Sequence, residues 1–92
     1  SDTTEVILAT TLSDAQQFLR VAYFDAIVID IDTQAEQSFN LLAFLVKDDL
    51  LARIPVILYG NRGLTIAEEQ QLQQFEDNLV VKTPSGGEFI FW

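Results

Sequence analysis

Apolar and polar positions alternate along the chain in blocks, and the blocks change period. Val6-Ile7-Leu8-Ala9 is a short β-branched run, and Thr10-Thr11-Leu12-Ser13-Asp14 follows with side chains that can cap a helix. Residues 12–23 then place Leu12, Ala15, Phe18, Leu19 and Ala22 at three- and four-residue spacings, which predicts an amphipathic helix. Asp25-Ala26-Ile27-Val28-Ile29-Asp30 is too continuous for a strand with one wet face, so it reads as a central strand covered by helices on both sides. A polar stretch over 32–38 separates it from a dense apolar helix expected from Phe39 to Leu51.

Pro55-Val56-Ile57-Leu58-Tyr59 predicts a third covered strand, with Pro at its first position where no ladder donor is lost. Gly60-Asn61-Arg62-Gly63 is the loop that leaves it. Thr65-Ile66-Ala67-Glu68 fits a capping box that opens a helix running through about Phe75, with Glu76-Asp77-Asn78 ending it. Leu79-Val80-Val81-Lys82 predicts a fourth strand, followed by a loop and an aromatic tail, Glu88-Phe89-Ile90-Phe91-Trp92. The order β-α-β-α-β-α-β with short connections predicts a single α/β domain over 1–92, a parallel sheet of about four strands flanked by three helices. No internal repeat interrupts it.

Composition narrows the chemistry. The chain has 92 residues, of which 49% are hydrophobic, which is enough to fold one domain. It contains no Cys and no His, which removes disulfides, thiolate and imidazole metal sites, cysteine nucleophiles and imidazole bases. Fourteen Asp and Glu face five Lys and Arg, a net charge of −9, and the cations Arg20, Lys47, Arg53, Arg62 and Lys82 are scattered. Without a basic stripe, neither nucleic acid nor an anionic membrane is an expected partner. No apolar run reaches the ~20 residues of a membrane span, so no membrane insertion and a cytoplasmic location are expected. The absence of Met leads to the expectation of a processed or excised piece with further flanking sequence.

In parallel sheets, ligands and chemistry collect at the carboxyl ends of the strands. Asp30 with Asp32, Tyr59-Gly60-Asn61, and Lys82-Thr83-Pro84 all fall there. A carboxylate at such an edge can act as a nucleophile toward phosphorus, with an ammonium neutralising the phosphoryl oxygens. The plainer alternative is that Asp30 caps a loop and Lys82 offsets excess acid. A hydrolase with paired carboxylates is disfavoured because Asp30 and Asp32 sit on one short loop.

The runs Phe24 to Asp30, Phe39 to Leu42, Ile54 to Tyr59 and Val80-Val81-Lys82 together resemble the receiver domain of two-component signalling, most of all those of hybrid histidine kinases. The resemblance covers residues 5 to about 85. It implies a flavodoxin-like fold lacking the family's first strand and helix. It places Asp30 at the phosphoacceptor position and Lys82 at the position that pairs with the phosphoryl group, so the chain is at most a phosphoacceptor rather than an enzyme. Three departures follow from the same alignment. The acidic pair that holds Mg²⁺ has no counterpart, Gly60 replaces a hydroxyl residue, and Gln34 and Ser38 replace a Pro and a Gly.

Asp30 and Asp32 are the remaining metal candidates, and Mg²⁺ is expected only if the acidic pair is supplied elsewhere. The resulting expectation is a truncated pseudo-receiver, impaired in phosphorylation and acting by interaction with a histidine kinase or another signalling protein. Two alternatives stand beside it: a fragment of a competent receiver phosphorylated on Asp30, and an unrelated small α/β binding module. The tail admits three readings, as a strand filling an open sheet edge, as a contact with a second copy in a homodimer, or as the stub of a helix.

Overall fold

The computed structural model describes residues 5–75 and 78–83. Its elements are α1 (Leu12–Val21), β1 (Ile27–Asp30), α2 (Ala35–Val46), a 3-10 turn (Leu51–Arg53), β2 (Val56–Tyr59), α3 (Ile66–Leu72) and β3 (Leu79–Lys82). The three strands form one parallel sheet in the order β1-β2-β3. Ile27 to Asp30 lie opposite Val56 to Tyr59, and these lie opposite Leu79 to Lys82, so Asp30, Tyr59 and Lys82 form one row.

The helix ends follow the local chemistry. Thr11 caps α1 by accepting from the Asp14 amide, and Arg20 sits in its last turn, where a cation meets the negative end of the helix dipole. Thr65 and Glu68 form the complete capping box at α3. α2 begins at Ala35, four residues earlier than the apolar pattern alone predicts, and has no side-chain cap. Its first turn is held instead by Ser38, whose hydroxyl donates to the Asp30 carbonyl at 2.9 Å, and by Gln37, whose side-chain oxygen accepts from the Leu12 amide at 3.0 Å.

Strand residues alternate between two faces. Ile29, Val56 and Leu58 face the helices, and Ile31 continues that alternation just past β1. With Phe39, Leu42 and Leu45 of α2 and Leu72 of α3 they make the core. Leu19 of α1 packs against the same cluster, so all three helices contribute to one side. The sequence pattern predicts strands covered on both sides. Among the described residues one face is covered, and Val28 on the other is 62% exposed.

The expected strand over 6–9 is not formed, and Val6 and Leu8 are 85% and 82% exposed. A segment this short becomes a strand only with a ladder neighbour. Among the described residues it has no such neighbour. The sheet therefore has three described strands rather than about four. The tail over 88–92 lies outside the described residues.

Candidate functional site

Each strand ends at the same edge of the sheet, and the loops that follow are tied to one another by carboxylates. Asp30 closes β1. Its Oδ1 accepts from the Asp32 amide at 2.8 Å and its Oδ2 from the Thr33 hydroxyl at 3.3 Å, an Asx-type turn that folds the acid back on its own loop. Asp32 reaches across to the loop after β2. Its Oδ1 accepts from the Asn61 amide at 2.9 Å and the Arg62 amide at 3.3 Å, and its Oδ2 from the Asn61 amide at 3.0 Å. Hydrogen bonds to an ionised acceptor are the stronger kind, so this carboxylate is the main fastening between the two loops.

Gly60 makes that fastening possible. A Cβ at this position would lie 2.6 Å from Ile31 Cγ1 and 2.8 Å from Asp32 Oδ1. A side chain at position 60 therefore has no room unless Ile31 and Asp32 shift. Arg62 is also committed. Its Nη1 and Nη2 grip Glu68 Oε1 and Oε2 at 3.0 and 2.7 Å, and Nη1 donates to the Gly63 carbonyl at 2.8 Å. This bidentate pair, with the Thr65 amide, holds the Glu68 carboxyl down at about 2 against an ordinary value of 4.5. The guanidinium itself is pushed further up by the hydrogen bond to Glu68.

Asp30 and Lys82 thus share a face and a row, with Tyr59 between them. The usual strand spacing puts their Cα atoms about 10 Å apart. They form no ion pair; the one ion pair among the described residues is Arg62 with Glu68. Lys82 is exposed and Asp30 is half-buried. Thr83, the next residue, is buried, and its hydroxyl has no hydrogen-bond partner among the described residues.

Among the described residues, no three acidic side chains converge as a metal cage. Asp30 and Asp32 both spend their oxygens on backbone and hydroxyl donors. The residues present therefore do not by themselves fit a Mg²⁺ site. No described helix is long and apolar enough to cross a membrane. A shallow depression lined by Val46, Asp49, Ala52, Arg53, Gln74, Phe75 and Asn78 lies at the opposite, amino-terminal end of the strands, away from the carboxylates.

Two anchoring roles escape the linear pattern. Asp32 binds amides 29 and 30 positions later, and the Asn78 side-chain amide donates to the Ala52 and Ile54 carbonyls at 2.7 and 3.0 Å. The signal nearest to the first is Gly60 itself, a residue without a side chain directly after a covered strand. The chain finds no match among known protein families, curated proteins or solved structures.

Proposed function

We propose that the chain is a receiver-like signalling module of a cytoplasmic two-component pathway, impaired in phosphorylation and working through contact with a histidine kinase or another signalling protein. The reading is carried by the row Asp30, Tyr59, Lys82. A carboxylate and an ammonium stand at the carboxyl ends of parallel strands with one strand between them, in the sequence order that the resemblance requires.

Three features favour impairment over competence. Asp30 is turned into its own loop, Asp32 is spent on the neighbouring loop, and position 60 has no space for a hydroxyl side chain. A phosphoryl donor is a dianion, and each pair of like unit charges at ~4 Å costs about 4 kcal/mol at an effective dielectric near 20. Lys82 brings a single positive charge against that. The loops β1–α2 and β2–α3 nevertheless form one fastened rim, a defined surface for another protein.

Incubation with Mg²⁺ and a small acyl phosphate is expected to leave the intact mass unchanged. Stoichiometric phosphorylation of Asp30 overturns the impaired reading in favour of a competent receiver fragment. Titration with the helical hairpin that carries the phosphorylated His of a histidine kinase is expected to shift amide resonances of residues 31–34 and 60–63. Shifts confined to Ala52, Arg53 and Asn78 at the other end, or none at all, refute the proposed contact.

A further inference from the structure

Among the described residues, the handedness of the two crossovers leaves one face of the sheet bare. β1-α2-β2 and β2-α3-β3 are parallel units that step in the same direction along the sheet. Right-handed connections that step the same way put their helices on the same side, and α1 joins them there through Leu19. The other side carries Val28, Ile57 and Val80 in one row, below the row of Asp30, Tyr59 and Lys82. Val80 and Tyr59 are each 42% exposed, and Val28 more so. Parallel strands ordinarily have both faces covered.

Size decides what can cover this one. Three strands of four residues span about 14 by 13 Å at the usual spacings, on the order of 200 Å². A stable interface between separate chains takes about 800 Å² from each partner. A second copy docked on this face alone falls several-fold short, and a net charge of −9 on each chain opposes it. A tethered occupant escapes that limit, because linkage replaces a bimolecular encounter with an effective concentration near the millimolar range.

The segment that follows Thr83 fits in length and composition. Residues 84–92 read Pro84-Ser85-Gly86-Gly87-Glu88-Phe89-Ile90-Phe91-Trp92. Nine residues reach up to about 30 Å, more than twice the length of the face, and Gly86-Gly87 permits a reversal without steric cost. Each aromatic side chain can bury about 150–250 Å², so two of them are more than enough to cover the bare area.

We propose that Phe89–Trp92 folds back in cis and seats its aromatic rings on Val28, Ile57 and Val80, making the bare sheet face an intramolecular docking surface. This holds whether or not the chain belongs to a signalling pathway.

Trp92 is the single Trp of the chain, so its fluorescence reports on this segment alone. In the intact chain its emission is expected to be blue-shifted. Acrylamide quenching should be several-fold weaker than in the denatured chain, at every protein concentration. Combining Val28→Asp with Val80→Asp, both at exposed positions, should restore the denatured-chain quenching while far-UV circular dichroism stays native. Combining Phe89→Ser with Phe91→Ser should do the same from the other side of the contact, without touching the sheet. Equal quenching in the intact and denatured chains overturns the proposal. So does protection that survives both double substitutions, and so does protection that appears only as concentration rises, which would make a second copy the occupant.

Discussion

The two faces of the sheet are made from the same kinds of side chain and have opposite fates. Ile29, Val56 and Leu58 point toward the helices and are 5%, 1% and 0% exposed, whereas Val28, one position from Ile29 on β1, is 62% exposed and Val80 of β3 is 42% exposed. Hydrophobicity cannot be what separates them. The difference comes from connection geometry: each crossover returns on the same side, so the apolar residues of one face are packed and those of the other are left over.

That contrast gives a series of expected outcomes. Leu58→Ala on the packed face should cost about 2–5 kcal/mol in chemical denaturation, because a fully buried leucine is removed from a close-packed cluster. Gly60→Ala, directed at the same face just past β2, should cost about 1–3 kcal/mol, since its methyl must displace Ile31 or Asp32. If either change is silent, the packed face is looser than its burial indicates.

The clasp that starts α3 on the packed side should show in acid. Because the folded Glu68 carboxyl is depressed to about 2 from 4.5, its contribution is present above about pH 4.5 and is lost as pH falls toward 2. The side chains of Arg62 and Glu68 are 35% and 20% exposed, so solvent screens part of the effect. Glu68→Gln should flatten the fall in melting temperature across that window and leave a smaller difference from the parent chain at pH 2 than at pH 7. The smallest effect belongs to the bare face: in a chain that already carries Phe89→Ser and Phe91→Ser, Val28→Thr should change stability by no more than about 0.5 kcal/mol. A loss comparable to that of Leu58→Ala would show that the face is already well packed.

The linear pattern reveals what depends on neighbours in sequence. Thr11 and Thr65 are identifiable as caps because their partners lie three residues on. Leu79 to Lys82 forms a strand with the expected bounds, and the placement of Asp30 and Lys82 on one edge follows from parallel order alone. What stays hidden depends on distant pairing. The run Val6 to Ala9 has the composition of a strand, but a strand is a relation between two segments, and none of the described residues pairs with it. The early start of α2 at Ala35 rests on Ser38 meeting the end of β1, a contact invisible to hydrophobic periodicity. Asp32 looks like a solvated loop acid or a weak metal ligand until the next loop is seen to donate its amides to it.

The unreversed strand order has a last consequence for recognition. A crevice opens at the crest of an α/β sheet where successive connections diverge to opposite sides. Here β1, β2 and β3 advance without such a divergence, and among the described residues the crest at Asp30, Tyr59 and Lys82 is a ledge backed by helices on one side only. A small metabolite settling there would keep much of its hydration. A visitor broad enough to rest on the ledge and lean against the fastened loops would shed far more water than a small one.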